Sequence, residues 1–140
     1  HGNIINFCSA QALRTQSVAT IINIFIAVPE QVQGMTVTLA GDFIFSTSYG
    51  RRNDSSILVF DDVLNSSRVG SVDIDGNEVD LFACSADLLN KSYVAPPMAE
   101  SVVYDDGYVY LLFESGAAKY RSGGGKYSSF GKANKHPHIH

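Results

Sequence analysis

Short runs of alternating apolar and polar residues dominate the chain, and turn-forming residues separate them. Alternation with a period of two places successive side chains on opposite faces of a β-strand. The pattern predicts strands over 34–38, 42–48, 56–60, 70–74, 78–82, 101–104, 108–114 and 118–120. Helical patterns are confined to 9–16 and 85–90, and each begins with a serine suited to cap a helix. The sequence therefore predicts an all-β protein.

The most apolar run of the chain, at 17–28, reads SVATIINIFIAV. A helix that spans a bilayer needs about 20 apolar residues, so this run is too short to cross one. It predicts a buried strand or a pair of strands, and we expect no membrane span.

The chain also repeats itself. CSAQAL at 8–13 is echoed by CSADLL at 84–89, and strand pairs around 37–45 and 102–110 follow at a constant offset of 65 residues. The repeat predicts two related units, 1–68 and 69–140, within one β domain. Each unit is expected to be a small, blade-like antiparallel sheet that cannot bury its own apolar face.

Four strings occur in order along the chain: VQGM at 32–35, STSYGRRNDS at 46–55, PPMAE at 96–100 and LFESGAAKYR at 112–121. Together they resemble the C-terminal part of a family of secreted β-propeller-like proteins, which is common in microbes and has no assigned activity. The resemblance covers roughly residues 29–121. It implies a blade-like architecture and an exported protein, and it implies no catalytic residues.

The expected number of blades is too small for a closed propeller, which needs at least four where this chain offers about two. Open sheets leave edge strands with unpaired N–H and C=O groups. We therefore expect an incomplete propeller, or a sandwich-like arrangement, that self-association completes by strand donation or by covering a face. The residues expected to be donated lie in the apolar run, namely Val18, Ile21, Ile22, Ile24, Phe25 and Ile26. The alternative is a fragment of a full propeller held by its missing half.

Composition narrows the partners. The 140 residues are 45% hydrophobic and 17% charged, which suits a folded domain. A net charge of −4 and a pI near 5.4 argue against nucleic acid and against an anionic membrane surface. Copies of the same chain and glycans are the partners that these values leave open.

Several features favour an extracellular, secreted protein. The chain begins at His1, so either a signal peptide has been removed or the sequence is a processed fragment. Cys8 and Cys84 predict one long-range disulfide, with two buried free thiols as the alternative. Three N-glycosylation sequons lie in turn-like stretches, with unmodified polar loops as the alternative. Their acceptors are Asn53, Asn65 and Asn90.

The candidate chemistry is sparse. His136, His138 and His140 would lie on one face of an extended segment and could chelate a transition metal, but a polar terminal strand or tail explains them as well. The other histidine is His1, so the body of the domain lacks a base for the usual nucleophilic triads. We therefore expect no cofactor and no enzymatic activity.

Two functions from different classes follow. The first is an extracellular structural protein that self-assembles into a fibre or surface layer and is N-glycosylated. The alternative is a carbohydrate-binding module or a glycan-active enzyme of the propeller type. Its candidate residues are Tyr49, Arg51, Arg52, Glu100 and Glu114. Paired guanidinium groups suit an acidic sugar, and two carboxylates could act as general acid and base.

Overall fold

The computed structural model describes residues 3–15, 21–114 and 138–139 of the chain. The strands are β1 (Asn3–Cys8), β2 (Ile21–Val28), β3 (Val32–Val37), β4 (Phe43–Thr47), β5 (Ser55–Phe60), β6 (Arg68–Ile74), β7 (Asn77–Ala83), β8 (Leu89–Ala95), β9 (Ala99–Asp105), β10 (Tyr108–Phe113) and β11 (His138–Ile139). The helices are α1 (Ala10–Thr15) and α2 (Val63–Ser66), and a 3₁₀ turn spans Ala86–Leu88. Strands dominate the described residues, which confirms the predicted all-β class.

The strands form three sheets. The first sheet has the order β1-β2-β7-β6, in which β2 and β7 run parallel and the other pairs run antiparallel. The central sheet, β3-β4-β5-β8, is antiparallel throughout. The hairpin sheet consists of β9 and β10, with β11 paired to β10. None of the described sheets closes into a barrel.

Strands β4 and β5 of the central sheet are packed on both faces, because the first sheet covers one face and the hairpin sheet the other. Every residue of β4 is buried, and its sequence FIFST shows why. Phe43 and Phe45 point to one face, while Ile44 points to the other. The face that carries the two rings is called the aromatic face below, and the opposite one is called the hairpin face.

The aromatic face is built from rings contributed by two sheets. The ring centroids of Phe25 and Phe43 lie 4.7 Å apart, and those of Phe25 and Phe82 lie 5.0 Å apart. Phe45 and Phe60 meet edge to face at 5.7 Å. Such geometries suit the quadrupoles of aromatic rings, so this interface gains from specific contacts as well as from burial.

The hairpin face combines a core of aliphatic side chains with a close backbone approach. A Cβ atom on Gly34 would lie 2.8 Å from Ser101 Cα and 2.9 Å from Val102 N, so β9 lies directly against β3 at a residue that has no side chain. The Tyr104 N–H donates a hydrogen bond to Thr36 Oγ1 at 3.1 Å. Both contacts fix the position of β9 on the central sheet.

Most of the predicted strands are confirmed, while two observed strands were not predicted. The alternating runs between 34 and 114 correspond to β3, β4, β5, β6, β7, β9 and β10. Strands β1 and β8 were missed, and the predicted strand at 118–120 lies outside the described residues. The helix predicted at 85–90 is wrong beyond the 3₁₀ turn, because residues from Leu89 onward pair with β5 as the exposed strand β8. The helix predicted at 9–16 is confirmed as α1.

Strands from both predicted units contribute to the four-stranded sheets. The first sheet joins β1 and β2 to β6 and β7, and the central sheet adds β8 to β3, β4 and β5. The parallel pairing of β2 with β7 is a feature that the prediction of antiparallel sheets did not include.

The apolar run at 17–28 supplies an internal strand of the first sheet. Strand β2 hydrogen-bonds to β1 on one side and to β7 on the other, and Phe25 is fully buried in the aromatic core. Ile22 is exposed, Ile21, Ile24 and Ile26 are half-buried, and Val18 lies outside the described residues. Donation of this segment between copies would have to displace β1 or β7.

The predicted disulfide is wrong in this structure, where both cysteines are free thiols. Cys8 pairs opposite Ile21 at one end of β2, whereas the Cys84 N–H donates to Ile26 O near the other end. Five residues of strand separate these positions by about 17 Å, and a disulfide needs Cα atoms within about 7 Å. Burial raises the pKa of the Cys84 thiol to about 11, so this thiol is protonated and unreactive at neutral pH.

Candidate ligand pocket

A pocket of about 520 Å³ opens where the hairpin sheet begins to pack on the central sheet. Its walls come from the turn before β3, from β3 itself, from the loop between β4 and β5, and from the start of β9. The lining residues are Gln31, Gln33, Ser48, Tyr49, Gly50, Asn53, Met98 and Glu100. Five of them carry amide, hydroxyl or carboxyl groups in addition to the phenol of Tyr49.

Local hydrogen bonds hold the loop between β4 and β5 against the turn before β3. The Ser48 N–H donates to Gln31 O at 3.1 Å, and Asn53 Nδ2 donates to Tyr49 O at 2.9 Å. Gly50 has a φ of 86°, a conformation that glycine adopts without strain. The loop therefore presents the Tyr49 ring, which is 52% exposed, at the mouth of the pocket.

Unusual backbone conformations occur beside the pocket. Among the described residues, six other than glycine have positive φ, and three of them are aspartates, which tolerate this region in turns. Of the others, Gln31 at 57° and Met98 at 67° both line the pocket. A residue held in this way costs about 1 kcal/mol or more, and such strain is concentrated at functional sites.

Bonds on both sides hold Met98 in its strained conformation. Its carbonyl accepts the Glu114 N–H at 3.0 Å, and the N–H of the next residue, Ala99, donates to the buried Ser55 Oγ at 3.1 Å. These bonds connect the floor of the pocket to β10 and to the central sheet. They also fix the position of Glu100, which follows directly.

Glu100 is the one charged side chain among the lining residues. It is half-buried, and the described part of the chain gives its carboxylate no hydrogen bond and no ion pair. Its position follows from the approach at Gly34, because Gln33 and Glu100 each precede one member of the contacting pair Gly34 and Ser101. The packing of β9 on β3 thus creates the charged wall of the site.

The structure brings together two of the five glycan-site candidates. Tyr49 and Glu100 line the same pocket. Arg51 and Arg52 lie in the exposed turn that follows and do not line it. Glu114 is joined to the floor of the pocket through its backbone, but its side chain is not part of the lining.

Sequence reasoning missed the amide and thioether groups of this site. Gln31, Gln33 and Met98 were not singled out, although Gln33 and Met98 belong to the strings VQGM and PPMAE. The strings are about 65 residues apart, and the signal that could have joined them is the constant offset between the strand pairs that they precede.

The side-chain amide of each sequon asparagine donates a hydrogen bond. Asn53 donates to Tyr49 O, Asn65 Nδ2 donates to Asp62 Oδ1 at 2.6 Å, and Asn90 Nδ2 donates to Asp61 Oδ2 at 2.6 Å. All three asparagines are exposed. Their glycosylation stays a prediction.

Within residues 3–15 and 21–114, no three His, Cys, Asp or Glu side chains are grouped closely enough to hold a metal ion. His136 and His140 lie outside the described residues, and for His138 the backbone alone is described, so the predicted histidine site is not reached. Neither described helix is long and apolar enough to cross a membrane.

The chain matches no protein-family model, and no similar protein was found among curated proteins or among solved structures. The resemblance to secreted propeller-like proteins and the extracellular location therefore stay predictions.

Proposed function

We propose that the protein is an extracellular carbohydrate-binding module and that its glycan binds in the pocket between the central and hairpin sheets. The observation that carries the proposal is the composition of the pocket, where a half-exposed tyrosine ring stands beside several hydrogen-bonding side chains. A sugar ring offers apolar C–H faces and a rim of hydroxyl groups. The ring of Tyr49 can stack on the C–H face of the sugar, and the nearby amides can bond to its hydroxyl groups.

The amide groups retain capacity for a ligand. In the unglycosylated chain, Asn53 uses one Nδ2–H for Tyr49 O and retains a second N–H and an acceptor oxygen. A glycan attached at Asn53 would replace that second N–H, so the proposal takes Asn53 as unmodified. Gln31 and Gln33 add two further amides to the lining. Each can accept from one hydroxyl and donate to another, which is the pairing that neighbouring sugar hydroxyls require.

Binding suits the pocket better than glycoside cleavage. Cleavage in most glycosidases uses two carboxyl groups that flank the scissile bond. Among the described lining residues, Glu100 supplies one, while the side chain of Glu114 stands outside the lining. The proposal therefore assigns recognition to the pocket and no hydrolytic step.

The test is a titration of the purified chain with a panel of oligosaccharides by calorimetry. Tyr49→Ala should weaken binding of the best glycan about tenfold or more, because stacking on the ring is lost. Tyr93→Ala is the matched control, since Tyr93 is an exposed tyrosine of β8 and does not line the pocket. Absence of binding to the whole panel, or equal affinity of the Tyr49→Ala variant, would contradict the proposal.

A second candidate function is self-association into a fibre or surface layer, and one surface favours it. The outer face of the hairpin sheet carries four exposed large apolar or aromatic side chains: Val103, Tyr108, Tyr110 and Leu112. Val103 and Tyr110 are direct cross-strand partners. If the stacked sheets are blades of an incomplete propeller, a sheet of another copy would cover this face.

Sedimentation velocity tests this candidate. The side chain of Leu112 is 64% exposed. If the wild-type chain assembles, Leu112→Lys should shift the assembly toward monomers. Leu39→Lys, in the exposed turn after β3, is the control and should leave the assembly intact. A wild-type chain that is monomeric at micromolar concentration would exclude self-assembly as the function.

A further inference from the structure

We infer that the pocket selects glycans that carry free amino groups, such as oligomers of glucosamine. The inference rests on the proposed function and adds to it the class of sugar that the site prefers. It starts from Glu100, because a single acidic group lies among side chains that are otherwise neutral.

The carboxylate of Glu100 has no bonding partner among the described residues. It is half-buried, and the described residues offer it neither a hydrogen bond nor an ion pair. A carboxylate that lines a pocket without a counter-ion can accept a charge-assisted bond from a bound ammonium group. A hydroxyl can donate to the same oxygen, but a charge-assisted bond is about twice as strong.

Tyr49 reinforces the same preference. An ammonium group placed over the plane of an aromatic ring is attracted by the ring quadrupole. The Tyr49 ring lines the pocket and is half-exposed. The net charge of −4 also favours the approach of a cationic oligosaccharide. The neutral amides of Gln31, Gln33 and Asn53 are then left for the hydroxyl groups.

The competing ligand is an acidic sugar, for which Arg51 and Arg52 are the relevant cations. Both side chains lie in the turn beyond Gly50 and outside the lining, so a carboxylate inside the pocket would meet Glu100 instead. Two negative charges within one pocket repel each other, which opposes binding of an acidic sugar. The geometry therefore favours the amino sugar over the uronic acid.

The experiment uses four tetrasaccharides with the full chain in mildly acidic buffer: β-1,4-linked glucosamine, its N-acetylated form, β-1,4-linked glucose and galacturonic acid. The glucosamine tetramer should bind about tenfold more tightly than the two neutral tetramers, which corresponds to one charge-assisted contact. Glu100→Gln should abolish this preference. Glu30→Gln, an exposed glutamate outside the lining, is the matched control and should preserve it.

The possible failures are distinguishable. If the neutral tetramers bind as tightly as glucosamine, or galacturonic acid binds best, the preference for amino sugars is wrong and carbohydrate binding stands. If no tetramer binds, the proposed function fails and the preference with it. Salt supplies a measurement that needs no variant, since the preference of the wild-type chain should shrink at about 1 M salt. A preference unchanged by salt would overturn the role of charge.

Discussion

The two faces of the central sheet are buried by different means. On the aromatic face, the rings of Phe25, Phe43 and Phe82 fill the space between two sheets with centroids about 5 Å apart. On the hairpin face, glycine, serine and alanine let the backbone of β9 come within van der Waals contact of β3. The first interface is filled by aromatic rings, whereas the second combines aliphatic packing with a close backbone approach at Gly34.

The difference explains where the pocket lies. Interlocked rings leave little freedom for a groove, because their positions are set by mutual packing. On the hairpin face, the pocket lies at the start of β9, where Met98 and Glu100 line it next to the close approach at Gly34. We conclude that the aromatic face stabilises the fold and that the hairpin face positions the site.

The largest expected effect is on the aromatic face. Phe25→Ala should lower the free energy of unfolding by about 3–5 kcal/mol, since the ring is fully buried and contacts three others. Urea denaturation followed by circular dichroism measures this loss. Where the variant remains folded, glycan affinity should be close to that of the wild type. An affinity loss larger than the unfolded fraction explains would contradict the separation of the two faces.

Gly34→Ala should affect both stability and the site. The added methyl group would lie under 3.0 Å from backbone atoms of Ser101 and Val102, so β9 must shift. Overpacking of this kind costs about 1–3 kcal/mol, and the shift should also weaken glycan binding by moving Glu100. The control is Gly70→Ala in β6, where the described residues leave open space around the new methyl group. Equal effects of the two substitutions would show that close approach at Gly34 is unimportant.

The strands that the sequence pattern predicted are those with local signals. Strands β6 and β7 alternate around 75–77, where Asp75 and Gly76 have the positive φ that the turn requires, and β9 and β10 do the same around Asp106 and Gly107. Strand β8 lacked such a signal, because it is an edge strand whose residues are almost all exposed and show no alternation.

Long-range pairing and the pocket were beyond prediction for a related reason. The parallel contact of β2 with β7 joins segments more than 50 residues apart, and the local pattern does not encode a partner. Tyr49 and Glu100 were recognised by residue type. Their meeting with Gln33 depends on the stacking of β9 at Gly34, which is a property of three-dimensional packing.

The effect of Ser55→Ala on the hairpin face should be smaller than the effect of Gly34→Ala on the pocket. Ser55 Oγ accepts the Ala99 N–H in a fully buried position. Loss of this acceptor leaves a buried donor unsatisfied, at a cost of about 1–3 kcal/mol. Urea denaturation measures the cost, and hydrogen exchange at Ala99 should accelerate. Unchanged exchange would show that another group accepts from Ala99.

The smallest effect is expected for Ser46→Ala. Ser46 also lies on the hairpin face, but its substitution should change the free energy of unfolding in the opposite direction. Its hydroxyl is fully buried, and the described residues provide no hydrogen-bond partner for it. Ser46→Ala removes an unsatisfied polar atom and breaks no bond, so the free energy of unfolding should stay the same or rise by up to about 1 kcal/mol. The comparison with Ser55→Ala isolates the hydrogen bond, since both substitutions replace a buried serine of the hairpin face by alanine. A loss of stability at Ser46 equal to that at Ser55 would mean that the hydroxyl is bonded, and that polar contacts as well as small size hold β9 in place.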